Sequence, residues 1–232
     1  MPYSFNHFKD QIKAWVLASV PKHKRILDVG PGIGTYSDLL RSEGYRMDAV
    51  EIFAPYINKY NLIEKYDNVF IDDICKFDFK DYDFIILGDV LEHIPKGDAI
   101  KLYNKIIKLK KECLVAVPFE MEQGEHEGNI YETHHQTDLT PEVMRERYPA
   151  LTVLNEINDY GYYYYMHPKH FKAYVLYANS AYYDTVCAAV KSIHKVSKLP
   201  VIVYLLNDNR QVPGATTVKW EYQGHDVRQS DY

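Results

Sequence analysis

Arg25-Ile26-Leu27-Asp28-Val29-Gly30-Pro31-Gly32-Ile33-Gly34-Thr35-Tyr36 changes character twice within one short stretch. Ile26, Leu27 and Val29 form an apolar run, which predicts a short buried strand. Gly30, Gly32 and Gly34 then alternate through a turn, and Thr35-Tyr36 open a helix. Glycine at these positions lets the backbone turn tightly and approach a ligand closely. The free amide groups at the N-terminus of the following helix would point at that ligand.

The same alternation of strand and helix continues outward. A helix over Tyr36–Glu43 ends at Gly44 as C-cap, and a second strand runs Tyr45–Val50 into Glu51. Glu51 lies 19 residues beyond Gly32. In α/β nucleotide folds that is about where a carboxylate accepts the ribose hydroxyls, since one carboxylate can take two hydrogen bonds from a vicinal diol. A helix over Pro55–Lys65 leads to a third strand, Asn68–Ile71, followed by Asp72-Asp73-Ile74. Asp83–Leu87 is almost wholly apolar, as a parallel strand covered on both faces would be. It runs into Gly88-Asp89-Val90-Leu91-Glu92-His93-Ile94-Pro95. Lys96–Lys110 carries one apolar stripe (Ala99, Leu102, Tyr103, Ile106, Ile107) with its lysines on the water side. Cys113–Val117 forms a fifth strand, and Thr140-Pro141-Glu142 starts a further helix with Thr as N-cap. Leu151–Ile157 and Gly161–Met166 complete seven strands, the last two as a hairpin. The predicted fold class is α/β: a doubly wound, mostly parallel seven-stranded sheet.

Two nucleotide chemistries compete for the glycine turn. A dinucleotide fold wants G-x-G-x-x-G, and here the third glycine is replaced by Thr35. The turn instead reads D-x-G-x-G-x-G from Asp28 to Gly34. It resembles the first motif of class I S-adenosylmethionine (SAM) dependent methyltransferases. The phrase D-V-L-E-H-I, Asp89–Ile94, is similar to the motif after the fourth strand in many small-molecule members of that family. The resemblance covers about residues 1 to 166. It implies SAM as cofactor, held by Asp28, Gly30, Gly32, Gly34, Glu51 and Ile52. It places an acidic side chain near the adenine amino group, Asp73 in preference to Asp72, with Ile74 over the ring. Gly88 and Asp89 would wall the methionine end.

Removing a proton from an alcohol acceptor calls for a base, and the candidates are His93, His134 and His135. The last two lie in a polar stretch, Phe119–Asp138, long enough to be functional. It is open to three interpretations: a substrate-binding loop that supplies the base, a divalent-metal loop, or a solvated loop. It contains no H-E-x-x-H or other recognised metal spacing, so no metal is assigned. The amphipathic stretch 5–19, with Phe8, Ile12, Trp15 and Ser19 on one face, is expected to pack on the domain edge or to form a lid over the cofactor.

Composition narrows the partners. A formal net charge of −5 over 232 residues argues against a general nucleic-acid binder. No apolar run approaches membrane-spanning length, and no signal-like segment follows Met1. Cys75, Cys113 and Cys187 lie far apart without C-x-x-C spacing, as free thiols in a cytoplasmic protein would. The 22 tyrosines are read as compositional bias, though such rings also suit sugar-stacking surfaces.

Residues 167–232 form a separate extension. A strand over Ala173–Tyr177, a helix over Ala181–Val196 and a strand over Val201–Leu206 make a β-α-β piece. It resembles the opening of a nucleotide-sugar glycosyltransferase domain, is much shorter than such domains run, and has no D-x-D motif. This suggests a glycan or other small-molecule acceptor, with sugar O-methylation one form of the reaction. It also suggests a glycosyltransferase partner or a further C-terminal domain. Two alternatives stand beside methyl transfer: a non-catalytic SAM-binding module that docks a glycosyltransferase, and a nicotinamide-dependent oxidoreductase.

Overall fold

The computed structural model describes residues 7–167, 174–197 and 199–220. They form two compact units, one from residue 7 with 21–167 and one from residues 8–20 together with 174–197 and 199–220.

The first unit holds seven strands: β1 Arg25–Val29, β2 Arg46–Glu51, β3 Val69–Ile71, β4 Phe84–Gly88, β5 Glu112–Pro118, β6 Thr152–Ile157 and β7 Tyr160–Tyr165. Their order across the sheet is β3-β2-β1-β4-β5-β7-β6, all parallel except β7, which runs antiparallel to both neighbours. The predicted doubly wound sheet is present. Its centre is built from the apolar runs: every residue of β4 and of β5 is buried. Strand order reverses at β1, which has β2 on one side and β4 on the other. In open α/β sheets ligands bind beyond the carboxyl ends of the strands at such a switch point.

The helices of this unit are α2 Thr35–Leu40, α3 Pro55–Lys59, α4 Leu62–Lys65, α5 Lys96–Lys108 and α6 Pro141–Arg147. The single helix expected over Pro55–Lys65 is divided in two. Asn61 adopts φ 53°, a left-handed conformation that an α-helix cannot continue through and that Asn tolerates better than most residues. The helix after the glycine turn is also shorter than expected: α2 gives way to a 3-10 turn over Arg41–Glu43. Thr140 caps α6 as its sequence implies, accepting a hydrogen bond from the amide of Val143. Buried Asp28 on β1 accepts a hydrogen bond from the hydroxyl of Tyr66 at the end of α4.

The second unit contains the expected β-α-β piece as β8 Tyr174–Asn179, α7 Tyr183–Val196 and β9 Val201–Leu206. A further parallel strand, β10 Thr216–Trp220, was not foreshadowed by the sequence pattern and gives the order β10-β9-β8. Val186 and Val190 of α7 pack with Val201, Val203 and Leu205 of β9 and with Val212. The first helix, α1 Lys9–Ser19, belongs to this unit and contacts β10 and β9, where the Gln11 side-chain amide donates to the carbonyl of Lys219. Its residues Ile12, Trp15 and Val16 are buried. Cys75, Cys113 and Cys187 are all free thiols. Among the described residues no helix is long and apolar enough to cross a membrane.

Candidate active site

The carboxyl ends of β1, β2 and β4 open into one cleft of about 820 Å³. Gly30 and Gly32 from the turn after β1 line it, with φ of 56° and 53°. Left-handed backbone of this kind is cheap only for glycine. The amide of Gly34 closes the turn onto the carbonyl of Pro31 at 2.7 Å. Gly34 and Asp28 stand behind the cleft wall and shape it from there: Asp28 through Tyr66, and Gly34 beside Lys65, whose ammonium bonds the carbonyl of Ile33.

Glu51 and Ile52 line the cleft from the end of β2. Glu51 is 3% exposed, and its carboxylate accepts the amide of Phe53 at 2.7 Å. Burial raises its pKa to about 7, the Phe53 amide pulls it back, and nearby Glu132 adds to the rise. Asp72, Asp73 and Ile74 line the next part of the cleft. Asp73 takes part in a local turn, accepting the amide of Cys75 and pairing with Lys76, while Asp72 accepts the amide of Asp73.

On the other side stand Gly88, Asp89 and His93. Gly88 is required by packing: a Cβ there would lie 2.2 Å from Cε2 of buried Tyr36. Asp89 holds φ 58°, and Oδ1 of its carboxylate accepts the hydroxyl of Tyr160 on β7. A non-glycine residue in this conformation is a place where surrounding structure over-determines the backbone.

The polar stretch Phe119–Asp138 is stitched to the turn after β4. The amides of His135 and Gln136 both donate to the carbonyl of Glu92, at 2.7 and 3.0 Å. The Gln136 side-chain amide donates to the carbonyls of Leu91 and Ile94, while its oxygen accepts from Arg147 and Tyr148. This brings Asn129, Tyr131 and Glu132 into the cleft wall. Tyr56 of α3 donates to Glu132 at 3.0 Å, which fixes that wall to the helix opposite.

Of the three candidate bases, the structure brings two together. His93 and His134 stand edge to face with ring centroids 4.6 Å apart. Burial, then the neighbouring His134, pushes the pKa of His93 down to about 4, so its imidazole is neutral. Burial likewise lowers that of His134. His135 is exposed and is tied to this region through its backbone amide. Sequence reasoning missed Tyr56, Asn129 and Tyr131 as cleft residues, and read Glu132 as one of the acids of the polar stretch Phe119–Asp138. It also missed Glu92, the buried acid beside the histidines, and Tyr160. Only Glu92 had a local signal, its place within the D-V-L-E-H-I phrase.

A family model described as a methyltransferase domain matches residues 5–121. Among curated proteins, none matches the sequence at a significant level. Solved structures with similar folds include the PH0226 protein from Pyrococcus horikoshii OT3, at 14% identity and TM-score 0.51, covering 70% of this chain and 92% of that one. An S-adenosylmethionine-dependent methyltransferase from Clostridium acetobutylicum ATCC 824 matches at 10% identity and TM-score 0.52, covering 70% and 91%. The N-terminal domain of EvdMO1, solved with S-adenosylhomocysteine (SAH) bound, matches at 13% identity and TM-score 0.51, covering 69% and 80%.

Proposed function

The chain belongs to the methyltransferase-domain family, and from that premise we propose that its β1–β2–β4 cleft holds SAM for methylation of a small-molecule or glycan hydroxyl. It is a SAM-dependent methyltransferase; the acceptor and the individual residue roles are the proposal. The observation that carries the assignment of the cleft is buried Glu51, on the same cavity as the left-handed Gly30 and Gly32.

The residues present fit the cofactor. Glu51 is an acceptor suited to a ribose diol, and the glycine turn admits a ligand close to the backbone. Asp73 can accept from an exocyclic amine, with Ile52 and Ile74 as apolar cover. Gly88 and Asp89 bound the opposite end, where an amino acid moiety would lie. When bound, SAM supplies a methyl group already activated on a sulfonium. What remains for the chain is to align an acceptor oxygen, exclude water and take up the charge change when the hydroxyl proton leaves. His93 faces the cleft, with His134 against it, as the polar groups proposed for that last task.

The glycan acceptor is proposed on the resemblance of the β8-α7-β9 piece to the opening of a nucleotide-sugar glycosyltransferase domain. A glycosyltransferase is the corresponding candidate partner, and a cytoplasmic location agrees with three separate free thiols. The EvdMO1 domain with bound SAH gives a precedent in fold for such a cofactor.

Calorimetric titration with SAM and SAH tests the cleft. Binding that collapses in Glu51→Ala supports it. Absence of binding by folded wild-type chain overturns it. A methyl-transfer screen then tests the acceptor: turnover only on phenols, amines or carboxylates, with none on sugars or glycosides, would remove the glycan hydroxyl.

A further inference from the structure

Glu92, His93 and His134 each offer one ligand atom, and these atoms lie within 4.8 Å of one another. Glu92 is 1% exposed, and neither oxygen of its carboxyl group finds a hydrogen-bond partner among the described residues. A buried carboxyl group in that state calls for a compensating partner. Its closest approach to a histidine, Oε1 to Nε2 of His93, is 3.9 Å. The histidines are held from behind. Nδ1 of His93 lies 3.4 Å from the carbonyl of Thr133, and Nδ1 of His134 lies 2.9 Å from that of Met121. With Nδ1–H directed at a carbonyl in each ring, the lone pair of each neutral imidazole is on Nε2. Backbone carbonyls bonded to the far ring nitrogen are the usual outer support of metal-binding histidines.

We propose that Glu92, His93 and His134 form a site for a divalent first-row transition ion, bound through one carboxylate and two imidazole Nε2 atoms. This donor set suits Zn²⁺, Mn²⁺, Fe²⁺ or Co²⁺ better than Mg²⁺, which prefers an all-oxygen shell. Bonds of about 2.0–2.2 Å require the three side chains to draw together as the ion enters. Asp89 and Glu132 are the acidic neighbours that crowd Glu92, and a cation there relieves their repulsion. Three protein ligands leave coordination positions open, the arrangement of catalytic rather than structural ions. His93 lines the cleft, so an open position faces the acceptor space.

The role of the ion rests on the methyltransferase proposal above. Coordination of the acceptor hydroxyl lowers its pKa, and the proton leaves to water. The oxygen lone pair then forms the new bond to the methyl carbon as the carbon–sulfur bond breaks, and the sulfur keeps that electron pair as a neutral thioether. This spares His93 from becoming an imidazolium in a half-buried position.

The test uses the full chain, freed of metal with a chelator and titrated with Co²⁺ alone while the visible d–d spectrum is followed, with Zn²⁺ and Mg²⁺ as competitors. Glu92→Gln and His134→Gln are run alongside, with circular dichroism as the folding check and SAH calorimetry on every sample. The expected result is a nitrogen- and oxygen-ligand Co²⁺ spectrum in wild type, displaced by Zn²⁺ and not by Mg²⁺. Affinity should fall about 100-fold or more in each variant, at least as much as loss of an outer-shell partner costs. No Co²⁺ spectrum in wild type, or equal affinity in a folded variant, overturns the site. If both variants fail to fold, Mn²⁺ electron paramagnetic resonance on wild type decides: imidazole nitrogen coupling supports the site and its absence overturns it. Ion uptake without SAH binding would sink the methyltransferase cleft and leave the ion site standing; SAH binding without ion uptake would do the reverse.

Discussion

The hydroxyl of Tyr160 donates to the carboxylate of Asp89, joining β7 to the turn after β4 across 71 residues of sequence. Asp89 sits in left-handed backbone there, and Tyr160 is fully buried beside Tyr162. Replacing Tyr160 by Phe keeps the ring and removes the donor. The half-buried carboxylate then loses that partner, at a cost of about 1–3 kcal/mol. Urea unfolding of Tyr160→Phe should show that loss with an unchanged m-value. Wild-type stability would mean the bond is replaced by water.

Glu51 gives the cleft a pH dependence. Burial raises its carboxyl pKa to about 7, so at lower pH the acid is protonated and offers one fewer acceptor. A ribose diol and a sulfonium both favour the ionised form. SAM affinity should therefore increase as pH rises through about 7, then level off. Calorimetry across that range should show proton release on binding in wild type. Glu51→Gln should bind weakly and without this pH dependence.

Gln136 is a fully used side chain. It donates to the carbonyls of Leu91 and Ile94 and accepts from Arg147 and Tyr148. Gln136→Leu strips the Leu91–Ile94 turn of these donors and should cost at least about 2 kcal/mol. Gln136→Glu keeps the acceptor for Arg147 and loses the donors, so it should fall between. Hydrogen exchange should show the amides of residues 91–94 and 134–136 opening together in Gln136→Leu.

Gly88→Ala tests a close approach. The added methyl would stand 2.2 Å from a ring carbon of Tyr36, which is 3% exposed and cannot swing freely away. Overpacking of this kind costs about 1–3 kcal/mol. Tyr36→Phe should bring no relief because the clashing atom is retained. Tyr36→Leu should relieve it, so the Gly88→Ala/Tyr36→Leu pair should be less destabilised than the sum of its singles.

The sheet was legible because its central strands are buried on both faces, which forces apolar runs such as Phe84–Leu87 and Cys113–Val117 to declare themselves. The glycine turn and Glu51 were legible because their spacing is local to one β-α-β unit. Tertiary pairing was not. Glu92 and His134 are 42 residues apart, and what brings them together is two backbone amides from the loop meeting one carbonyl. No side-chain pattern encodes that. Tyr160 was hidden among 22 tyrosines, and β10 is too short and mixed to stand out as a strand. The division of Pro55–Lys65 turned on the single left-handed residue Asn61.

Helix α1 comes first in the sequence and finds its packing partners in β9 and β10. The stretch of the first unit from residue 21 to 167 is therefore inserted between two parts of the second. On the ribosome, the seven-stranded sheet can complete itself while helix α1 still awaits the strands it contacts, about 190 residues downstream. The early helix must stay unpaired, or shielded by a chaperone, until translation nears Trp220. Contacts of such sequence separation are slow to close. Refolding of the full chain should be biphasic, with cleft formation preceding the docking of α1 on β9 and β10, read by hydrogen exchange of the α1 and β10 amides.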